Sequence, residues 1–257
     1  MRPNERERDL LVSVVTPSLN QRRFIEETIK SVLSQDYQNI EHIVIDGGST
    51  DTTVDVLRKY NHQIKSVSEP DAGQADAVNK GFKMAKGAIL GWLNSDDTYH
   101  PGAASTIVNC FMANPETVMI YGDAHFIDEE SRVIGKYPSE PFNPERLRET
   151  CPICQPTVFM RREIVEKVGL LDVHLETCMD YDYWIRISKC FDPKRIKYLE
   201  NEFLGNSRRY AGNKTFRLRR RVYREVMGTQ KRHFGKISRP WILGYIQEIL
   251  LGMRLKP

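Results

Sequence analysis

Asp96 and Asp97 stand side by side at the end of an apolar run, residues 88–93 (AILGWL). Two adjacent carboxylates repel one another unless a cation sits between or beside them. Carboxylate oxygens suit Mg²⁺ or Mn²⁺, and a magnesium site commonly joins one or two carboxylates to substrate phosphates. The pair is therefore a candidate half-site for a divalent cation, with a diphosphate supplying the remaining oxygens. Taken alone it also fits a solvated turn with an Asp capping the next helix. Cys151 and Cys154 have zinc-knuckle spacing, but no second pair follows, and buried thiols are the expected reading.

These residues need elements to position them. Residues 11–16 (LVSVVT) are apolar and β-branched and predict a buried strand, broken by Pro17. Ile25, Ile29, Val32 and Leu33 recur at helical spacing. Residues 41–45 (EHIVI) predict a second strand, 64–67 a third and 88–93 a fourth. Between them, Asp51 or Thr52 can cap a helix carrying Val54 and Leu57. Residues 73–86 predict another helix with Ala75, Val78, Phe82 and Ala85 on one face. Alternating strands and helices imply βαβ units and a mostly parallel sheet. Ligands in such sheets bind beyond the carboxyl ends of the strands, which brings residues 16–20, 46–49 and 94–97 together. In the second half, a helix is expected over 101–113. Short strands are expected over 118–121, 125–128, 133–137 and 155–160. Residues 161–168 should form a helix stopped by Gly169, and 180–189 a helix with Tyr181, Trp184 and Ile185 inward.

The chain has 257 residues, 40% hydrophobic, enough for one large α/β domain with an appendage. The first ten residues are polar and charged, and no run approaches the roughly 20 apolar residues of a membrane span. A cytoplasmic protein with five reduced cysteines is expected. The net charge of +4 hides an asymmetry: residues 206–257 hold 14 Lys/Arg against 2 Asp/Glu, and residues 1–205 hold 24 against 32. A basic tail on an acidic body suits phosphate, in nucleic acid or on an anionic membrane. A non-catalytic nucleic-acid-binding protein would leave the ordered acids unexplained. A metal-dependent nucleotidyltransferase is a second alternative, but it usually has a Gly-rich phosphate loop, and residues 16–20 contain no glycine. A hydride-transferring Rossmann enzyme is excluded at the motif level, since no GxGxxG follows the first strand.

The segments form an ordered series: Thr16-Pro17-Ser18-Leu19-Asn20, Asp46-Gly47-Gly48-Ser49-Thr50-Asp51, Ser68-Glu69-Pro70-Asp71-Ala72-Gly73, Ala77-Val78-Asn79-Lys80-Gly81 and Trp92-Leu93-Asn94-Ser95-Asp96-Asp97. Over about residues 11–205 this series resembles the family 2 glycosyltransferases of GT-A fold. The resemblance implies a Rossmann-like, mixed but mostly parallel sheet flanked by helices. It implies a catalytic domain over 1–205, with a nucleotide-sugar half at about 11–100 and an acceptor half at about 101–205. The activity implied is inverting transfer of a sugar from a nucleotide diphosphate sugar, a UDP-sugar first, to an acceptor hydroxyl in surface polysaccharide or glycolipid assembly.

By the same resemblance Thr16, Pro17 and Ser18 would line the base and ribose, and Asp46 would sit near the base. Asp76 and Asn79 would lie near the ribose or donor sugar. Asp96 and Asp97 match a DXD-like motif that touches the ribose and the metal-bound diphosphate, with Mn²⁺ or Mg²⁺ as cofactor. Many members carry a second acid where this chain has Gly47, so the base stays open between uridine, guanosine and thymidine. Asp180-Tyr181-Asp182-Tyr183-Trp184 resembles the segment supplying the catalytic base. Asp180 is the expected base and Asp182 the second candidate, because residues two apart on a helix do not share a face. Gln155 would border the acceptor. Tyr210 stands where the family often has a His, and Arg208 or Arg209 could contact the diphosphate instead.

Residues 206–257 are expected to form a basic, amphipathic helical tail. Trp241, Ile242, Tyr245, Ile246, Ile249, Leu250 and Met253 read as one apolar stripe. Beside basic residues such a stripe suits the inner face of the plasma membrane and a lipid-linked or glycan acceptor. It equally suits packing on the catalytic body or a homodimer through the C-terminal helices. No nucleic-acid partner is expected.

Overall fold

The computed structural model describes residues 10–254, with side chains through Leu250. The first strand, β1 (Val12–Ser18), is buried along its whole length. Its alternation divides it between two layers: Val12 and Val14 pack with Val32, Ile89 and Ile107, while Val15 packs with Ile43, Val78, Phe82 and Leu90. Beside it lie β2 (Ile40–Asp46), β3 (Lys65–Ser68) and β4 (Ile89–Trp92), all parallel, in the order β3-β2-β1-β4. The sheet continues past β4 through elements of the second half. These are β5 (Thr98–Tyr99), β6 (Met119–Ile127), β7 (Val133–Lys136), β8 (Phe159–Arg161) and β9 (Ile196–Arg208). β8 runs antiparallel to β4 and β6, β9 parallel to β6, and β5 antiparallel to β9; β7 pairs with β6 off this path.

Helices cover both faces. On one side α1 (Ile25–Leu33), α2 (Thr53–Lys59) and α4 (Ala103–Ala113) bury Ile25, Ile29, Leu57, Ile107 and Phe111. On the other lie α3 (Gln74–Met84), α5 (Glu163–Val168) and α6 (Met179–Cys190), contributing Val78, Phe82, Ile164, Trp184 and Ile185. Each such side chain contributes about 1.5–3 kcal/mol on burial. α3 lies so close to β1 that a Cβ on Gly81 would stand 2.2 Å from Cγ1 of Val15. That contact fixes α3 against the strand leading into the candidate site.

The four parallel strands and the helices between them follow the periodicity. Pro17 does not break β1 as expected. The carbonyl of Val15 faces β4 and accepts from the Leu93 N–H at 3.0 Å. Pro17, two residues on, faces the same side, where the β4 pairing has already ended at Trp92, so its missing N–H costs no ladder bond. Residues 118–121 and 125–128 are one strand, β6, rather than two. The expected strand over 155–160 is a 3-10 turn at Gln155–Thr157 followed by the short β8. β9 was not anticipated: its centre, Glu200-Asn201-Glu202, reads as a loop, and its register shifts against β6 between Gly122 and Ala124. It runs to Arg208, so residues 206–208 belong to the sheet and not to the tail.

The tail forms α7 (Lys214–Arg217), α8 (Arg219–Phe234) and α9 (Arg239–Arg254). α8 docks on α6. Its Gln230, fully buried, donates to the Arg148 carbonyl at 2.6 Å and to the Tyr181 hydroxyl at 3.0 Å. The single stripe expected on α9 divides. Trp241 packs against the main core and Tyr245 against Tyr223, whereas Ile242, Leu243, Ile246 and Leu250 are exposed. Met253 lies outside the described side chains. Among the described residues no helix is long and apolar enough to cross a membrane.

Candidate active site

Beyond the carboxyl ends of β1 and β4 opens a cavity of about 1030 Å³. Its walls include Pro17, Ser18, Asp71, Asn94, Asp96, Asp97, Gln155, Asp180, Arg209 and Tyr210, and it is bounded on the far side by α7, α8 and Trp241 of the tail.

The acidic pair sits in the turn between β4 and β5. Thr28 of α1 holds that turn, its hydroxyl donating to the carbonyls of Ser95 at 3.0 Å and Asp97 at 2.8 Å. Asp97 is buried; its Oδ1 accepts from the Arg208 backbone N–H at 2.9 Å and its Oδ2 from the Asn94 amide at 3.2 Å. Asp96 Oδ2 accepts from the Tyr210 hydroxyl at 3.1 Å. Burial pushes Asp97 well above the usual carboxylate range, and the charge of Asp96 adds to the push; burial raises Asp96 as well. Among the described residues neither carboxylate has an ion-pair partner, and no three His, Cys, Asp or Glu side chains converge on a point.

Asn94 is a hub that sequence reasoning did not single out. Its Oδ1 accepts from Trp92 Nε1 at 2.9 Å and from the Gln74 amide at 2.8 Å, and its Nδ2 also donates to Gln155 Oε1 at 2.9 Å. Gln155 Nε2 in turn donates to the Trp92 carbonyl. Gln155 thus lines the cavity with both ends of its amide already engaged.

Asp180 opens α6 and faces the cavity. Burial raises its carboxyl above the usual range, opposed by the Tyr181 backbone N–H at 2.8 Å. Asp182 does not line the cavity. It is 1% exposed and accepts from Arg186 Nε at 2.8 Å and from His233 Nε2 at 2.7 Å, so it ties α6 to α8. One face of α6 carries the cavity acid, another the tail anchor. Cys151, Cys154 and Cys178 line the wall as free thiols, and burial keeps them protonated, Cys178 being pushed up to about 12.

Several expected contacts lie behind the wall. Thr16 is fully buried with its hydroxyl 2.9 Å from His42 Nε2. Asp46, also fully buried, accepts from the Ser49 N–H at 2.9 Å and from the hydroxyls of Ser49 and Ser68. Asn79 clamps both backbone groups of Leu171 at 2.9 Å. Asp76 accepts from the Ala72 N–H at 3.1 Å and pairs with Lys80 at 3.5 Å. These four shape the loops around the cavity without entering it.

Arg208 and Arg209 part company because Arg208 ends β9 and consecutive residues of an extended chain point to opposite faces. Arg208 is 1% exposed. Its guanidinium donates to Glu27 at 2.7 Å, to the Asp128 carbonyl at 2.7 Å, to the Asp96 carbonyl at 2.8 Å and to Ser131 Oγ at 2.9 Å, so four of its five N–H donors are engaged within the protein. Arg209 instead turns into the cavity, its guanidinium 3.3 Å from the centroid of Phe126. At Gly47, a Cβ would stand 2.6 Å from Oδ2 of Asp71, so the cavity-lining Asp71 fills the space a side chain at 47 would need.

Comparison with known proteins agrees with this arrangement. The sequence profile described as Glycosyl transferase family 2 matches residues 13–169. An uncharacterized glycosyltransferase of Rickettsia prowazekii is 30% identical over 218 residues, 80% of this chain and 66% of the relative's own length. The Escherichia coli UDP-Glc:alpha-D-GlcNAc-diphosphoundecaprenol beta-1,3-glucosyltransferase WfgD is 32% identical over 70% of this chain and 71% of its own. The mannosyltransferase PcManGT from Pyrobaculum calidifontis, solved with GDP-Man and Mn²⁺, superposes with a TM-score of 0.64 at 18% identity, over 94% of this chain and 70% of its own. That likeness establishes the GT-A fold. With the profile covering more than half of its length, the chain belongs to the family 2 glycosyltransferases.

Proposed function

We propose that the chain transfers a sugar from a nucleotide diphosphate sugar to an acceptor hydroxyl with inversion at the anomeric carbon. One observation carries the reading: Asp97 with Asp96, and Asp180, approach a single cavity from two different halves of the fold. Nucleotide diphosphate sugars are the donors of relatives and neighbours, a UDP-sugar for WfgD and GDP-Man beside PcManGT.

Pro17 and Ser18 would flank the nucleotide at the end of β1, with Thr16, Asp46, Asp76 and Asn79 holding the loops that shape this pocket. A buried Asp97 adjoining a half-buried Asp96, neither in an ion pair among the described residues, fits a hard divalent cation, and Asp97, with Asp96, would hold Mn²⁺ or Mg²⁺. Such an ion neutralises charge on the diphosphate leaving group. Asp180 takes the proton of the acceptor hydroxyl as its oxygen bonds to the anomeric carbon. The bond from that carbon to the phosphate oxygen breaks, and its electron pair leaves with the diphosphate. Arg209 lies where it can donate to phosphate oxygens; Arg208 positions Asp96 and Asp97. Gln155 borders the acceptor side through its fixed amide.

The acceptor reading is a glycan or lipid-linked sugar, as in surface polysaccharide or glycolipid assembly, and it draws on the exposed apolar row Ile242, Leu243, Ile246 and Leu250. With Arg220 and Arg224 exposed on α8 and Arg239 opening α9, this row suits peripheral contact with an anionic, cytoplasm-facing membrane surface. A homodimer through α9 is the competing use of the same row. Incubation of purified protein with a panel of UDP-, GDP- and dTDP-sugars and Mn²⁺ tests the donor reading by nucleotide release. No turnover or binding with any of them overturns it.

A further inference from the structure

α7 carries a cation across the mouth of the cavity. Lys214 lines the wall and is half-buried, yet among the described residues its ammonium makes one hydrogen bond, to Oε1 of Gln74 at 3.1 Å. An ammonium has three donors, so two are unused. Among the described residues no carboxylate lies within ion-pair distance of it. Glu176, Glu225 and Asp180 act on it only from beyond contact, and Arg221 opposes them. Holding a cation out of water without a counter-charge is costly unless an anion arrives to meet it.

The position of Lys214 identifies the anion. Gln74 passes its own amide to Asn94 at 2.8 Å, and Asn94 donates to Asp97 at 3.2 Å. This row of polar groups runs from the tail cation to the metal-binding acid. It links Lys214 to Asp97 through two intervening amides along the wall of the cavity. Arg209 approaches the same volume with its guanidinium stacked on Phe126 and, like Lys214, in no ion pair among the described residues.

We propose that Lys214 binds a phosphate oxygen of the donor diphosphate and stabilises the diphosphate as it departs. The inference rests on the nucleotide-sugar reading of the cavity and adds to it a residue from beyond the segment matched by the family profile, which ends at 169. Lys214 keeps its protons throughout; it donates hydrogen bonds to oxygens that gain charge as the sugar–oxygen bond breaks, while the acceptor proton goes to Asp180. The tail is then part of the catalytic apparatus and not only an attachment.

The test is calorimetric binding of UDP, GDP and dTDP, each with Mn²⁺, against uridine, guanosine and thymidine, using the full chain. Lys214→Ala and Lys214→Met, the latter keeping the length of the side chain and the packing of α7, should weaken the bound nucleoside diphosphate about 10- to 100-fold. Both should leave the parent nucleoside unaffected, and Lys214→Arg should retain much of the affinity. Unchanged diphosphate affinity in both variants overturns the proposal. Equal losses for diphosphate and nucleoside also overturn it, because they mark Lys214 as a strut for α7. Wild-type protein that binds none of the three diphosphates removes the donor reading itself, and this inference with it.

Discussion

The backbone N–H of Arg208 meets Oδ1 of Asp97 at 2.9 Å, while the side chain of the same residue reaches Glu27 of α1 at 2.7 Å. One residue of β9 therefore fixes the acid of the β4–β5 turn and joins it to α1. Arg208→Ala should lower stability by about 2–4 kcal/mol, since it leaves buried carbonyls without donors and opens a cavity. Denaturant unfolding reads this directly. An unchanged unfolding midpoint combined with weaker diphosphate binding would mean that the guanidinium contacts the ligand after all.

Asp97→Ala should abolish transfer and remove the part of donor affinity that depends on Mn²⁺ or Mg²⁺. Calorimetry with and without a chelator measures that part. Wild-type affinity that ignores the chelator rules out the metal role.

Asp180→Asn should leave donor binding nearly intact and cut turnover by roughly 10²-fold or more, the scale for loss of a general base. In the wild type the acid limb of the pH–rate profile should lie above the usual Asp range, because burial raises this carboxyl. The same shift has a stability consequence. A group with a raised folded-state pKa favours the fold below its unfolded pKa and loses that contribution as pH rises through the folded value. Asp180→Asn should therefore stabilise the protein at neutral pH, with a gain that fades on acidification. A gain that grows toward acid pH would contradict the burial of Asp180.

Asp182→Asn should behave in the opposite way, with a smaller effect on turnover and a loss of stability. Its carboxylate is gripped by Arg186 and His233, and neutralising it weakens an ion pair within α6 and the His233 hydrogen bond that docks α8. Thermal melts and turnover measured side by side decide it. If Asp182→Asn costs more turnover than Asp180→Asn, the base has been assigned to the wrong residue.

The full chain should sediment with anionic liposomes, less at high salt. Replacing Leu243, Ile246 and Leu250 together with Ser should reduce this without unfolding, since all three are exposed. Truncation is a poorer probe, because Val226 and Gln230 of α8 are buried in the body. Protein that stays in the supernatant at low salt with lipid in excess ends the membrane reading; a concentration-dependent dimer abolished by the triple substitution would assign the row to α9 pairing instead.

The parallel strands, the helices between them and the acids at the strand ends were legible in the sequence. Apolar periodicity of two or about 3.6 reports burial locally, and a polar segment after a buried strand must emerge at the sheet's carboxyl edge. Asp96 and Asp97 carry that information in their neighbours, whereas Asp180, on a helix, was singled out only by the family resemblance of its segment. Other features were decided by contacts between residues far apart in the chain. β9 has a polar centre and owes its existence to pairing with β6. Only its register turns Arg208 inward and Arg209 toward the cavity. The charges of Asp180 and Asp182 look alike in the sequence, but α8 returns to neutralise Asp182 and leaves Asp180 facing the cavity. Lys214 has no local signature, because an unpaired, half-buried cation is a property of everything packed around it, and that is set by the tertiary fold.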